Sequence, residues 1–340
     1  MTLDIRKAGA VLALSLALWG AGWASRAAAQ PERFTPEELE PLIASLESEG
    51  FTRPALDVVF HDERLRKVER VVTINVLNPD SAQIYEQFRG RFAIRLARKF
   101  RGKHMALLER VERRYGVPKD VIVAILLVET QFGTAANNYR LLDVFTTLIV
   151  DASPEAVERH YQRLKPSYPD LQREYLEERL TKKADWAYKE LVALLAIQDA
   201  RRIGDLYAIK GSYAGAFGMP QFLPTSYLAW AVDGNKDRRF DLDNTQDAMA
   251  SIANFLRQHG WTRRAAPAQK QRAVWEYNHS RHYVDTIFEV ARRVRVAPVR
   301  TQPAARPAAA AEAQAAPADA APPWADPVDV GVRVPAGFQP

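Results

Sequence analysis

The sequence predicts a mainly α fold, and three observations predict it. Apolar positions recur at three- and four-residue spacing between capping residues. No run alternates apolar and polar residues long enough to make a convincing strand. No internal repeat appears. The first element is "TPEELEPLIASLESEG": Thr35 stands as N-cap, Pro36 opens the first turn and Glu38 closes a capping box. Leu39, Leu42, Ile43 and Leu46 form its apolar stripe, and Gly50 ends it. "LLERVERRYG" stops at Gly116, and Pro118 opens "PKDVIVAILLVETQFG". "TKKADWAYKELVALLAIQDA" and "NTQDAMASIANFLRQHG" follow as amphipathic helices, the latter with Asn244 as N-cap and Gly260 as its stop. Pro224 opens a short helix, "PTSYLAWAV", in which Tyr227 reads as structural.

The chain has 340 residues, and its two ends differ from its middle. Arg6 and Lys7 precede an apolar stretch from Ala8 to Trp23, and Ala27 to Ala29 supply small residues. This layout predicts a secretory signal peptide over 1–29, cleaved after Ala29; a retained membrane anchor is the alternative. Residues 297–340 are rich in alanine and proline and are expected to be a disordered tail. Residues 31–296 remain as the expected folded domain. With no cysteine, that domain has no disulfide, thiol nucleophile, thiolate metal site or lipid-bearing N-terminal Cys, and must rely on its core. The net charge is +6. "RGRFAIRLARKFRGK", Arg89 to Lys103, reads first as a solvated helix face. Contact with an anionic wall polymer or nucleic acid is the second reading, and nucleic acid is not expected as a partner.

Glu129 is the residue that needs explaining. It ends the aliphatic run "AILLVET", with Ile125, Leu126, Phe132 and Gly133 one turn away on either side, so no local ion pair accounts for it. Apolar surroundings and the negative end of a helix both push a carboxyl pKa upward. A carboxyl that keeps its proton near neutrality can act as a general acid. The alternative is a glutamate that faces solvent or bonds a backbone amide across the core.

Three motifs then carry a resemblance. "YGVPKDVIVAILLVETQFG" (Tyr115 to Gly133) resembles the active-site helix of the membrane-bound lytic murein transglycosylase B family. "GSYAGAFGMPQFLPTSYLAWAVDGNKDRRFDLDNTQDAMASIANFLRQHGW" (Gly211 to Trp261) and "YNHSRHYVDTIFEVA" (Tyr277 to Ala291) are similar to its second and third signatures, in the same order. The resemblance implies a lysozyme-like helical core, additional helical segments and an EF-hand-like loop. It implies cleavage of the β-1,4 bond between N-acetylmuramic acid and N-acetylglucosamine in peptidoglycan glycan strands, leaving 1,6-anhydromuramic ends. Glu129 would be the single acid and then base, with no cofactor for catalysis. The expected setting is the periplasm, with the chain a monomer and any protein partners drawn from cell-wall synthesis or division. A hydrolysing muramidase on the same scaffold and a non-catalytic peptidoglycan-binding module are the rival readings.

The resemblance also implies roles position by position. Ser212 would hydrogen-bond the catalytic glutamate; the alternative is a plain tight turn. Gln221 would contact sugar, or be a turn residue before Pro224. Asn278 would bond substrate or the acetamide of the intermediate, while Tyr277 would stack there or be a core aromatic. His279 and His282 lack a local third ligand and are not read as a metal site. Tyr85 stands one residue out of register with a family cleft aromatic. Met219 and Pro220 replace more usual residues, and the segment between Leu148 and Gly211 is longer, with an added helical stretch. Finally, Asp233, Asn235 and Asp237 occupy positions 1, 3 and 5 of an EF-hand-like loop and Arg239 position 7, offering its carbonyl. Position 12 is Asn244, so the resemblance places the closing carboxylate at Asp247. Hard oxygen donors at this spacing suit structural Ca²⁺, despite Arg238 where a glycine usually eases the turn. A solvated loop with an ordinary helix cap is the other reading.

Overall fold

The computed structural model describes residues 32–77, 81–135, 138–199 and 204–295. The expected signal peptide and tail lie outside them. Fourteen helices follow in order among the described residues: α1 (Pro36–Ser48), α2 (Arg53–Phe60), α3 (Glu69–Leu77), α4 (Ala82–Arg89), α5 (Arg91–Lys103), α6 (Met105–Tyr115), α7 (Lys119–Thr130), α8 (Leu141–Val150), α9 (Pro154–Leu164), α10 (Arg173–Asp199), α11 (Pro224–Trp230), α12 (Thr245–Gln258), α13 (Pro267–Tyr277) and α14 (Arg281–Val294). The mainly α expectation is met.

The local signals act as read. Thr35 Oγ1 accepts the Glu38 amide, and Glu38 Oε2 accepts the Thr35 amide at 2.9 Å, so the capping box is complete. Gly116 takes φ +74° to end α6, and Asn244 Oδ1 accepts the Gln246 amide at 2.8 Å to start α12. Two expectations change. "TKKADWAYKELVALLAIQDA" is not a separate helix but the later part of α10, because no breaker stands between it and "REYLEER". The helix opened by Pro224 stops at Trp230 rather than at Val232. A two-residue antiparallel pair, Tyr139–Arg140 with Lys210–Gly211, is too short to leave an alternating pattern.

Helix α7 is central. Every residue from Val121 to Thr130 is buried, which explains the all-round apolar run. It is enclosed by α14, α5, α12 and α6, while α10 runs against α8 and α11. The α10–α11 contact is also polar. Glu190 of α10 is buried, and its two oxygens accept the Thr225 amide (3.0 Å) and hydroxyl (2.9 Å) in the first turn of α11. Burial raises its pKa to about 7 against those two bonds.

Candidate active site

Glu129 lies in the last turn of α7 and is only 2% exposed. Its Oε1 accepts the Tyr283 hydroxyl at 2.6 Å. Its Oε2 is buried and has no hydrogen-bond partner among the described residues. Desolvation raises the pKa to about 8, opposed by the Tyr283 bond, and no second carboxylate contributes to the shift. A carboxylic acid with one oxygen anchored and the other unengaged can give up a proton and take one back at the same place.

Tyr283 has no place among the sequence-predicted site residues. It sits on α14, 154 residues from Glu129 in the chain. Its ring stacks on Tyr277 (6.3 Å, 8°) and meets Tyr85 edge-on (6.3 Å, 78°). All three tyrosines are buried. Tyr85, one residue out of register in the sequence, joins this cluster through its contact with Tyr283. Tyr277 donates to the Pro220 carbonyl at 2.5 Å and is a packed core aromatic. Burial and the nearby Glu129 hold both the Tyr277 and Tyr283 phenols well above their ordinary range, so both stay protonated as donors.

The chain leaves α7 through three successive left-handed residues: Gln131 (φ +47°), Phe132 (+65°) and Gly133 (+84°). Only the last is glycine, so the turn stores strain beside Glu129. Thr130 holds this exit. Its hydroxyl donates to the Met219 carbonyl and accepts the Gly133 amide, both at 2.9 Å. Residues 219–221 are thereby fastened to the glutamate helix. Gln221 is fully buried at φ +51°, and its Nε2 donates to the Gly218 carbonyl at 2.9 Å.

Ser212 does not make the expected bond. The hydroxyl bonded to Glu129 is that of Tyr283. Ser212 Oγ instead accepts the amides of Ala214 (3.4 Å) and Ala216 (3.2 Å), because the turn 212–216 folds back over it. Asn278, 4% exposed, ends α13, and its Nδ2 has no partner among the described residues: a donor held in place with nothing to bond. His279 lies 3.6 Å from Glu276, and His282 is exposed.

The loop 233–247 holds itself by amide bonds. Asp233 accepts the amides of Lys236, Asp237 and Arg238. Asn235 Oδ1 accepts the Asp237 amide, and Asp237 Oδ1 that of Arg239. Asp247, buried at the start of α12, accepts Gly234 and Asn235 on Oδ1 and Asp241 on Oδ2. Arg238 makes the tight turn at φ +67° without glycine. Among the described residues no three His, Cys, Asp or Glu side chains converge as metal ligands.

Comparison with known proteins then bears on this arrangement. Residues 35–271 match the family model of the transglycosylase SLT domain. Membrane-bound lytic murein transglycosylase B of Escherichia coli (strain K12) is 32% identical over 156 residues, 46% of this chain and 35% of the relative; the match thus spans about a third of that protein. Among solved structures, soluble lytic transglycosylase SltB1 of Pseudomonas aeruginosa superposes with a TM-score of 0.60 at 23% identity, over 76% of this chain and 98% of that one. An Escherichia coli lytic transglycosylase solved with calcium gives 0.57 at 22% identity, over 76% and 92%. SltB3 of Pseudomonas aeruginosa, solved with a NAG-NAM-pentapeptide, gives 0.58 at 19%, over 75% and 78%. These superpositions establish a common fold. With the family model matched from the first helix into α13, the chain belongs to the transglycosylase SLT domain family.

Proposed function

We propose that the chain is a peptidoglycan lytic transglycosylase. It cleaves the β-1,4 bond between N-acetylmuramic acid and N-acetylglucosamine. One observation carries this reading: Glu129 is buried, protonated at neutral pH, anchored by Tyr283 at one oxygen only, and unaccompanied by a second carboxylate in its titration. Glu129 protonates the glycosidic oxygen as the C1–O4 bond breaks, and the muramic acetamide oxygen closes onto C1. The resulting carboxylate then takes the proton of the 6-hydroxyl as O6 attacks C1. The acetamide is released, Glu129 regains its proton, and no water is consumed. Asn278 Nδ2 is the donor we assign to the acetamide. Gln221 and Ser212 shape the sugar side, Gln221 by its own amide and Ser212 through its turn. Tyr277 supports the cluster from the core.

A hydrolysing muramidase would add water at C1 and ordinarily needs a second carboxylate to position it. A binding module would need no raised pKa. Mass spectrometry of sacculi digested with the purified chain separates the three. Anhydromuramic ends are expected; reducing ends would make the chain a hydrolase, and intact sacculi a binding module. We place the activity in the periplasm after export by residues 1–29, with the chain acting as a monomer on glycan strands. No helix among the described residues is long and apolar enough to cross a membrane.

Calcium belongs to this reading as a structural ion only. The donors of Asp233, Asn235, Asp237, the Arg239 carbonyl and Asp247 are all hard oxygens, and one solved neighbour holds calcium. The backbone already turns as such a loop requires, at Lys236 and Arg238 (both φ +67°). The ion would fasten the segment that follows Gln221, where Met219 donates to the Leu242 carbonyl at 2.9 Å. After chelator treatment, millimolar calcium should raise the melting temperature, and Asp237→Ala should abolish the rise. An unchanged melting temperature would assign the loop to its amide network alone.

A further inference from the structure

Helix α5 presents a face that the proposed reaction does not use. Its inner stripe, Ala93, Ile94 and Ala97, is buried, and α5 packs on both α7 and α14, the carriers of Glu129 and Tyr283. Outward it shows Arg91, Phe92, Arg95, Arg98, Lys99 and Lys103, all exposed. Phe92, Arg95, Lys99 and Lys103 follow at spacings of three, four and four, a single stripe along a helix about 20 Å long. Phe92 is 72% exposed, one of the few large apolar side chains of the described residues left in water.

The cations of this face are not spent on neighbours. Arg89 pairs with Glu86 and Glu289, and Arg101 turns inward to Asp120 at 2.6 Å. By contrast Arg91, Arg95, Lys99 and Lys103 join no ion pair among the described residues. Arg98 donates to the Arg293 carbonyl at 2.7 Å, which brings the last turn of α14, with exposed Arg292 and Arg295, alongside.

We propose that this α5 face, with the end of α14, docks the protein on an anionic phospholipid surface, Phe92 entering the headgroup boundary and the arginines and lysines meeting the phosphates. Charge complementarity selects an anionic partner. The ring selects lipid over a hydrated wall polymer: Phe92 leaves its apolar area in water, and the headgroup–acyl boundary buries such a ring while keeping the cations beside the phosphates. A docked chain would present its Glu129 site at a fixed orientation to the bilayer, because α5 lies directly on the two helices that build it.

The test is sedimentation of the full chain with vesicles of phosphatidylglycerol mixed into phosphatidylcholine, against phosphatidylcholine alone. Residues 1–29, with Arg6, Lys7 and the apolar run 8–23, are common to the wild type and every variant, so the face is read from the difference between wild type and variant. The wild type should favour the anionic vesicles and lose that preference as salt rises. Arg95→Glu with Lys99→Glu should weaken the anionic-specific binding by about thirtyfold or more, each such cation near an anionic leaflet being worth roughly fivefold. Phe92→Ser should weaken it roughly tenfold. All three positions are exposed, so circular dichroism and turnover of soluble glycan fragments should not change. Equal binding of the wild type to both lipids, or undiminished anionic binding by the double variant, would overturn the proposal. Loss of sacculus binding with unchanged vesicle binding would assign the face to the wall polymer instead.

Discussion

Glu129→Gln should abolish turnover, by about 10³-fold or more, in a chain that stays folded and becomes more stable than the wild type as pH rises. The loss of rate follows from the proposed role of Glu129, since glutamine cannot give up and take back the proton. The stability change follows from linkage. The native carboxyl titrates at about 8 and the unfolded one near 4.5. The native state therefore holds a proton that the unfolded state releases, and stability falls as pH climbs from the unfolded value through the folded one. Each unit is worth about 1.4 kcal/mol, so at pH 7 the wild type carries a penalty on the order of 3 kcal/mol that glutamine does not. The two proteins should melt together near pH 4.5 and separate steadily above it. The same pKa sets the rate profile: the acid form is needed first, so turnover declines once pH passes about 8. Tyr283→Phe removes the bond that favours the carboxylate and should carry that decline to higher pH. An active glutamine variant, or one with no pH-dependent gain in stability, would remove Glu129 from the centre of the site.

Gly215→Ala should be severely destabilising for the addition of a single methyl. Gly215 sits at φ +72°, and a Cβ there would lie 2.2 Å from Cζ and 2.5 Å from Cε1 of Phe145. Phe145 is fully buried on α8 with its edge toward Trp186 (5.9 Å, 72°), so the ring has nowhere to go. Left-handed alanine costs about 1 kcal/mol or more, and forcing bulk into a filled core roughly 1–3 more. Gly50→Ala is the control. It has φ +99° but nothing within 4 Å, so it bears the backbone strain alone. Urea unfolding should place Gly215→Ala about 2–4 kcal/mol below wild type. The variant should also lose activity, since the Gly215 amide bonds the Ser212 carbonyl at 2.9 Å and closes that turn. Equal destabilisation by the two variants would show that the Phe145 contact yields.

What could be read from the sequence was local. Thr35 with Glu38, Gly116 and Asn244 each mark a helix end through bonds that span four residues or fewer, and each does so in the fold. Glu129 was legible because a lone carboxyl in an aliphatic run is anomalous whatever surrounds it. Its partner was not. Tyr283 looks like any apolar-face tyrosine of α14, and only the docking of α14 on α7 gives its hydroxyl a role. The same holds in reverse for Ser212, whose side chain serves its own turn. Glu190 carries no periodic or motif signal at all, since its function lies in the first turn of another helix.

Helix α10 has a consequence for how the added segment behaves. Its 27 residues form one rod about 40 Å long. The helix touches α9 and α3 as well as α8 and α11. Leu176 and Leu180 are buried early in the rod, Leu191, Leu194 and Ile197 late in it. One unbroken ladder joins these regions, so the longer 150–190 region is not an appendage that can loosen while the rest stays native. It should melt with the core as a single cooperative unit, which hydrogen exchange of α9 and α10 amides would check. The same rod that meets α9 carries Glu190, and so ties the added segment to the first turn of α11.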